Sequence, residues 1–475
     1  MSEKVWDILD FGAVSDGSVL CTAAIQSAID AANAAGGGRV IVPAGRYLTG
    51  AVNLCDNLIF EMLPGAELHA SSDPADYPPS VGSFRSSYRN PDGSQPEGLL
   101  SALVCGRNVK NVTVRGGRLT AEPHAYLERK CPEGSEFEPV YEAQAWHYYK
   151  QRRPRISMIL MEDCEKVTVE NLEIAEYPAY AGWFLGCSRV FIRYIETFAD
   201  QSGINTDGFH FSSCRWVSIT DSHFFCGDDC IAIDSNHCGD STDFTVNGCI
   251  FNTSVHAFRI YTGIDPNFTK IDHMGEVKRV TISGCTVEDA AGLLSLSGCD
   301  GHVSDVTLSG ITANLDREGT AISLATRNGT IRNLHFEGLN LRSNGTMCIS
   351  AEKKGDIKGI TLCSSSFTVT PKTKLDAAPG RFASQSFPDH CHFRPSHFCF
   401  VRAEDVTLRD VLLRWEAPVY SESWPEERRE AVAAVLKERF GLTLSELEPR
   451  ELSAVECVDC EGIRLEDNVL PEFAM

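Results

Sequence analysis

A short alternation of hydrophobic and polar residues recurs along most of this 475-residue chain. It reads VKNVTVRGGRL from Val109, CEKVTVENLEI from Cys164, CRWVSITDSHF from Cys214 and VKRVTISGCTV from Val277. A period of two indicates strands with one buried face, and the Gly, Asn or Asp near the middle of each unit indicates a turn. The chain is therefore predicted to be mainly β-structure.

The spacing of these units distinguishes between repeat architectures. Their central apolar residues, for example Val167, Val190 and Val217, mostly lie 23 to 28 residues apart, with one interval of 36. This is too short for a four-stranded propeller blade, and the consensus of leucine-rich repeats is missing. The interval fits one coil of a parallel β-helix, in which equivalent residues of successive coils stack ~4.8 Å apart.

The two ends of the chain depart from the repeat. The string TAAIQSAIDAANAAGGGRV favours a helix from about Thr22 to Ala35, stopped by glycines, which would cap the N-terminal core within about 1–50. Insertions are expected at about 370–400 and 415–455, the second with an amphipathic helical pattern from about Pro425 to Arg439. We expect a single all-β solenoid domain over 1–475, with helical or loop insertions near the C-terminus.

Charge and composition restrict the partners and the location. A formal net charge of -22 and a pI near 5.0 argue against nucleic acid or an anionic membrane, since both bind basic surfaces. The start MSEKVWDILDFGAV has no secretory pattern, and no apolar run approaches about 18 residues. We therefore expect a soluble cytoplasmic protein whose 19 cysteines are buried thiols rather than disulfides. Its oligomeric state is not predicted.

Acidic residues fall on neighbouring coils of the predicted solenoid. The strings NTDGFHF and GDDCIAI align without a gap, which sets Asp207 over Asp229 with Asp228 beside them. The string SVHAFRI of the next coil brings His256 into the same column, because its apolar residues continue the inward ladder. The result is a predicted column of two aspartates and a histidine, with a third aspartate adjacent.

Three carboxylates so close must perturb one another's pKa and leave at least one readily protonated near neutral pH. Glycosidic bond cleavage needs this combination, because an acid protonates the leaving oxygen while a base activates water. Two other interpretations stay open at this point. Asp and Asn are common at turns, and adjacent aspartates bind calcium.

The NTDG and GDDCIAI strings, followed by a histidine one coil later, resemble glycoside hydrolase family 28, the polygalacturonase family. The resemblance includes DFGAVSDG and GGGRVIVPAGRYLTG and extends over about residues 7 to 370. It implies a right-handed parallel β-helix and an inverting hydrolase that needs no metal or organic cofactor. It also implies Asp228 as general acid, Asp207 and Asp229 as the residues that activate water, and His256 as tuning the acid or contacting the sugar.

Two motifs depart from the pattern of that family. Its Gly-His-Gly is Val-His-Ala around His256, and its Arg-Ile-Lys strand reads AGLLSLSG, with Leu294 and Leu296 where the Arg and Lys would stand. The paired cations that would neutralise a uronate carboxylate are therefore absent from this strand. The substrate expected is a pectin-derived or related oligosaccharide, with the sugar left open.

Further residues are candidates for contact with the sugar. Alternation turns Arg259 outward on the face of the column, where it would bind a carboxylate or hydroxyls, or pair with one of the aspartates. Aromatic residues near the groove are candidate stacking surfaces. The predicted substrate contacts are Asn205, Arg259, Tyr261, Trp183 and Trp146.

The predicted reaction is exo-acting hydrolysis of an O-glycosyl bond. An intracellular enzyme would meet imported oligosaccharides rather than polymers, and long segments at about 77–96 and 136–155 would close one end of the groove. The alternatives are a β-helix lyase or epimerase, and a non-catalytic glycan-binding protein.

The string HCHFRPSHFC contains His390, Cys391, His392, His397 and Cys399, which invites a zinc site. Its spacing fits no common zinc module, and a loop histidine that reaches the groove is an equal alternative. We therefore predict no metal.

Overall fold

The structure is a computed structural model. It describes residues 4–77, 100–129, 149–151, 155–201, 205–237, 239–263, 275–315, 320–343, 345–369, 398–416 and 454–470, together with 426, 429–430, 433–434, 437 and 443. The predicted insertions at about 370–400 and 415–455 lie mostly outside these residues, as do Trp146 and His390 to His397. Of the second insertion, Glu426, Arg429 and Lys437 are among the residues described as helical.

Nearly all described strands belong to two parallel sheets that face each other across one core. The smaller sheet carries the acidic column and is called here the site sheet. Its twelve strands are Val52–Asn53, Leu100–Arg107, Arg155–Glu162, Gly182–Leu185, Phe209–Ser212, Ile231–Asp234, His256–Thr262, Gly292–Cys299, Ile322–Arg327, Met347–Ser350, Phe398–Val401 and Val455–Val458.

The other sheet, called here the large sheet, contains two strands or one long bent strand from most coils. Its 23 strands are Val5–Asp7, Asp16–Leu20, Gly38–Val42, Gly45–Thr49, Leu58–Met62, Ala66–Ala70, Lys110–Arg115, Arg118–Thr120, Glu165–Ala175, Ser188–Phe198, Arg215–Thr220, His223–Cys226, Ser241–Asn247, Ile250–Thr253, Val277–Ser283, Thr286–Asp289, His302–Ser309, Thr312–Leu315, Thr330–Glu337, Asn340–Ser343, Ile357–Val369, Glu404–Trp415 and Arg464–Glu466. A separate antiparallel pair joins Leu127–Arg129 to Tyr149–Gln151.

Successive coils stack in register on the site sheet. Phe209 pairs with Ile231, Ile231 with Phe258, and Phe258 with Leu294, and all four side chains are buried. Because side chains alternate across a strand, this ladder fills the core and the intervening residues face outward. The all-β parallel β-helix predicted from the repeat is therefore the architecture observed.

One α-helix of the described residues, Thr22–Ala34, lies beside the first coils. It buries Ile25, Ala28, Ile29 and Ala32 against the N-terminal strands, a spacing that places all four on one face. The helix is capped by Ala35 and followed by Gly36, whose φ of 86° is a conformation that glycine adopts without strain. Short 3₁₀ turns occur at Ile8–Phe11, Pro74–Asp76 and Pro123–Tyr126.

The cysteines at the corners of the coils are small buried groups. The thiols of Cys187 and Cys214 are fully buried and donate to the backbone oxygens of Met161 and Phe184, each at 3.3 Å. These contacts cross from one coil to the preceding one, so the thiols help to hold the stack together. The described cysteines are free thiols, as the sequence predicted.

Within the described part of the chain, no helix combines the length and apolar character that crossing a membrane would require.

Candidate active site

The predicted acidic column forms where three successive coils enter the site sheet. The amide of Gly208 donates to the carbonyl of Asp229, and the amide of Cys230 donates to the carbonyl of His256, both at 3.0 Å. Asp207, Asp229 and His256 are thereby stacked in the register that the sequence alignment gave. Asp207 and Asp229 are buried.

Asp229 is held by positive or protonatable groups. The Nδ1 atom of His256 lies 3.0 Å from Asp229 Oδ1, and the Nε atom of Arg259 lies 4.0 Å from Oδ2. Burial alone would raise the pKa of Asp229, but the hydrogen bond from His256 and the charges of His256, Arg259 and His210 lower it below its ordinary value. Asp229 is therefore an ionised carboxylate at neutral pH.

Asp228 is in the opposite condition. Its Oδ1 accepts a hydrogen bond of 2.9 Å from the amide of Asp229, and its carbonyl accepts one from the hydroxyl of Thr253. The side chain is only half-buried in terms of solvent contact. Desolvation, followed by the charges of Asp207 and Asp229, raises its pKa well above the ordinary value. The site thus combines a carboxyl group whose pKa is raised with a neighbouring carboxylate whose pKa is lowered.

A histidine not identified from the sequence, His210, completes this cluster. Its Nε2 lies 2.6 Å from Asp234 Oδ2, and its Nδ1 lies 3.6 Å from Asp207 Oδ2. All three side chains are buried. The signal was present in NTDGFHF, because alternation turns His210 outward beside Asp207. Asp234 was missed because it pairs with Ser212 at the end of its strand, in the outward column next to that of His210.

The outward positions next to the column carry three of the predicted substrate contacts. Arg259 is 28% exposed and lies over the ring of Tyr261, with 5.6 Å between the guanidinium carbon and the ring centroid. The hydroxyl of Tyr261 is 3.2 Å from His210 Nε2. Asn205 is half-buried in a left-handed turn, with a φ of 53°, two residues before Asp207.

Trp183 is at the site but differs from the sequence prediction of an open stacking surface. Its indole is only 6% exposed and packs against Tyr180 and His210, with ring centroids 4.7 and 5.3 Å away. Its Nε1 donates to Ser212 Oγ at 3.1 Å. These contacts fix the surroundings of His210 and leave little indole face for a sugar.

The strand Gly292–Cys299 lacks the cations of the family pattern. By sequence, Leu294 and Leu296 stand at the positions of those cations, which would face the substrate. Leu294 and Leu296 are buried in the core. The outward residues are Ser295 and Ser297, which pair in register with Arg259 and Tyr261. This strand therefore presents hydroxyls and no cation beside the column.

Groups of potential metal ligands occur elsewhere among the described residues. Glu162, Asp163 and His237 form one group whose ligand atoms lie within 4.8 Å of one another, and His335, Glu337 and Cys363 form another. Neither group contains the three aspartates of the column. Cys399, from the HCHFRPSHFC string, is buried against Cys348 and Val401.

A sequence model described as glycosyl hydrolases family 28 matches residues 92–293, which include the whole column. The resemblance to glycoside hydrolase family 28 is confirmed. A probable polygalacturonase from Vitis vinifera is 25% identical to this chain over 323 residues. The alignment covers 64% of this chain and 60% of that protein, so this chain spans less than two thirds of its relative.

Two relatives match shorter stretches of this chain. An exo-poly-alpha-D-galacturonosidase from Dickeya chrysanthemi is 41% identical over 102 residues, which are 21% of this chain and 16% of that protein. A mannuronan C5-epimerase, AlgE3, from Azotobacter vinelandii is 62% identical over 42 residues, which are 9% of this chain and 2% of that protein.

The fold is also that of a solved family-28 structure. A family 28 exopolygalacturonase from Yersinia enterocolitica superimposes with a TM-score of 0.62 at 16% identity. The superposition covers 97% of this chain and 78% of that chain. At this identity the likeness establishes the parallel β-helix fold and nothing finer.

Proposed function

We propose that this protein is a glycosidase that hydrolyses an O-glycosyl bond in pectin-derived or related oligosaccharides. The observation that carries the proposal is the contrast between two adjacent carboxyl groups. Asp229 is held by His256 at 3.0 Å and Arg259 at 4.0 Å, which lower its pKa, whereas desolvation and two neighbouring carboxylates raise the pKa of Asp228. Glycoside hydrolysis needs both states in one site.

In this reaction Asp228 is the general acid. Its proton passes to the glycosidic oxygen as the bond from that oxygen to the anomeric carbon breaks, and the leaving sugar departs as an alcohol. Asp228 is suited to this role because its carboxyl is partly open to solvent and its pKa is raised. The carboxylate that remains regains a proton from solvent after product release.

Asp207 and Asp229 hold and activate the water that attacks the anomeric carbon. One of these carboxylates takes a proton from the water as the new carbon–oxygen bond forms, so the products are a hemiacetal and an alcohol. Attack on the face opposite the leaving group gives inversion of configuration. We propose this inverting course from the family resemblance, with His256 as the residue that fixes Asp229.

The substrate is proposed to be bound at its end. The exo-acting relative from Dickeya chrysanthemi supports this part of the proposal. Arg259 is partly exposed beside the column and would bind an acidic or hydroxyl-rich sugar, and the half-buried hydroxyl of Ser297 would add a neutral contact. A single cation at this point differs from the paired cations of the family pattern.

The test is product release from galacturonate, rhamnogalacturonan and neutral oligosaccharides, analysed by mass for wild type and Asp228→Asn. Asp221→Asn is the matched control, because Asp221 lies on the same coil but on the large-sheet side and has a left-handed φ of 49° that Asn also adopts. We expect monosaccharide release that Asp228→Asn loses and Asp221→Asn keeps. Equal turnover in the wild type and Asp228→Asn would contradict the proposal.

An epimerase or lyase is the second candidate, supported by the 42-residue match to a mannuronan C5-epimerase. Both reactions remove the proton on sugar C5, so they exchange that hydrogen with solvent or give an unsaturated product. In deuterated water, hydrolysis leaves C5 unlabelled and gives saturated products. Deuterium at C5, or an unsaturated product, would favour the second candidate.

A further inference from the structure

We propose that His210 is a positioning residue that acts as a permanent imidazolium, holding Asp207 ionised and oriented toward the attacking water. Asp234 is the counter-ion that keeps His210 in place. This inference rests on the proposed hydrolase reaction, and it adds two residues, His210 and Asp234, that the resemblance to the family did not supply.

The hydrogen bond to Asp234 requires a proton on Nε2, and the nearby carboxylate of Asp207 favours a second proton on Nδ1. Nε2 is 2.6 Å from Asp234 Oδ2, and Nδ1 is 3.6 Å from Asp207 Oδ2. A neutral imidazole has one N–H and one bare nitrogen, so either tautomer would aim a lone pair at a carboxylate. Only the imidazolium turns an N–H toward both carboxylates, as a hydrogen bond to Asp234 and as a charge contact with Asp207, and the charged form therefore suits this pocket.

Burial makes the cation necessary. Asp207, His210 and Asp234 are 4%, 6% and 1% exposed. Two carboxylates taken out of water lose solvation energy, and beside a neutral ring no opposite charge between them would offset that loss, which favours protonation of one of them. A cation between them removes that penalty and leaves Asp207 able to act as a base.

Asp234 is itself held by other hydrogen bonds, so its carboxylate can fix the position of the His210 ring. Its Oδ1 accepts from the amide of Asn236 at 2.7 Å, and its Oδ2 accepts from the hydroxyl of Ser212 at 2.9 Å. Ser212 in turn accepts from the indole of Trp183, whose ring also packs against His210. The hydrogen bond to Asp234 and the packing of Trp183 together fix the orientation of the imidazole ring.

The titratable groups around His210 come from four coils and favour the charged form overall. Burial would lower its pKa, but hydrogen bonds and charges from Asp207 and Asp234 raise the pKa to about 9. The groups that face or lie near the ring are Tyr180 from the preceding coil, Asp207 from its own, Asp229 and Asp234 from the next, and Arg259 and Tyr261 from the one after.

It follows that each of the two histidines supports a different aspartate. His256 supports Asp229, and His210 supports Asp207, so the proton in the cluster stays on Asp228. Without the charge of His210, Asp207 would compete with Asp228 for that proton. The site would then lose its base and its acid over the same pH range.

The experiment compares His210→Gln, Asp234→Asn and the double variant in pH profiles of kcat and kcat/KM. Gln donates a hydrogen bond but carries no charge. We expect His210→Gln to lower kcat about 10- to 100-fold with little change in KM, and to move the acidic limb of the profile up by about one pH unit. The double variant should be within about 3-fold of His210→Gln, because Asp234 acts through His210.

The matched control is His69→Gln. His69 is also buried, at 8% exposure, and its Nδ1 is 2.8 Å from Thr120 Oγ1 on the large sheet, away from the column. The His69→Gln variant should be somewhat less stable than the wild type and should keep the wild-type pH profile of kcat and kcat/KM. An unshifted acidic limb in His210→Gln, or effects of His210→Gln and Asp234→Asn that multiply, would overturn the inference.

A second measurement needs neither variant to fold. A neutron crystal structure of the wild type near neutral pD should show deuterium on both ring nitrogens of His210. Deuterium on one nitrogen alone overturns the inference whatever the activity data give. If the imidazolium is present but Asp228→Asn still turns over substrate, the proposed reaction fails instead, so the two failures are distinguishable.

Discussion

Two aspartates on opposite sides of one coil have opposite chemistry. Asp243, on the large sheet, is paired with Arg279 by bonds of 2.6 and 2.9 Å, and this pairing lowers its pKa to about 2. Asp228, fifteen positions earlier by sequence number, is beside two other carboxylates and has a raised pKa. Both aspartates belong to the same stacked architecture, so the charged groups that surround each carboxyl group determine its pKa.

Carboxylates on the large sheet repeatedly face arginines in this way. Arg193 bonds Glu170, and Arg118 bonds Glu173, each between neighbouring coils and with at least one partner exposed. Around the column the carboxylates of Asp207, Asp229 and Asp234 outnumber the one arginine in these contacts, Arg259, and histidines take part in the balance. Charges that are satisfied in pairs stabilise a surface modestly, whereas charges left in excess can perform acid–base chemistry.

The largest effect is expected from removing the ionised member of the site. Asp229→Asn should reduce kcat about 10³-fold, because the water loses a base and His256 loses its partner. Steady-state kinetics on the oligosaccharide that the wild type cleaves measures this. A loss smaller than about 10-fold would mean that Asp229 is not part of the machinery.

The charge on His210 should appear in the pH dependence of stability. A histidine whose pKa is raised to about 9 in the folded protein stabilises it fully below the unfolded value near 6.5, and this contribution is lost as pH rises through 9. The free energy of unfolding of wild type relative to His210→Gln should therefore be larger at pH 6 than at pH 10, by about 2 to 3 kcal/mol.

Denaturant unfolding at both pH values gives this difference, with His69→Gln as the comparison. Burial lowers the pKa of His69, so its charged form is disfavoured and no such gain at low pH is expected. A difference for His210→Gln that is the same at pH 6 and pH 10 would show that the ring is neutral in the folded protein.

A smaller effect is expected at Arg259. Arg259→Gln removes the partly exposed cation beside Asp229, so KM for an acidic oligosaccharide should rise about 10-fold while KM for a neutral one changes little. Parallel kinetics on the two substrates measures the contrast. Equal changes in both would assign Arg259 to supporting Asp229 rather than to binding a sugar carboxylate.

The smallest effect is expected on the large sheet. Arg279→Gln leaves Asp243 without its partner at the surface, where ion pairs contribute little. Activity should equal that of the wild type, and the melting temperature should shift only slightly. A loss of activity in this variant would contradict the separation of the two sides.

Much of the fold and part of the site followed from the sequence for a physical reason. Strand alternation has a fixed period, and stacking in a parallel β-helix repeats it from coil to coil. Aligning the inward residues Phe209, Ile231 and Phe258 therefore also aligned Asp229 and His256. The helix at Thr22–Ala34 was predicted to within one residue, because glycines follow it directly.

Contacts between columns were harder to predict. The bond from His210 to Asp234 joins side chains in different columns of adjacent coils, and its existence depends on rotamers that spacing does not specify. The same limit applies to Trp183, whose position was predicted but whose burial was not. Sequence alternation gives the face of the sheet a residue occupies, and packing gives the neighbours it meets there.

The most direct test of the account is the protonation of Asp228 in the wild-type protein. Infrared difference spectra between wild type and Asp228→Asn near neutral pH report whether this carboxyl carries a proton, with Asp221→Asn as the control. The account predicts a protonated carboxyl band that is present in the wild type and in Asp221→Asn and missing in Asp228→Asn. A wild-type spectrum in which Asp228 contributes only as an ionised carboxylate would contradict it.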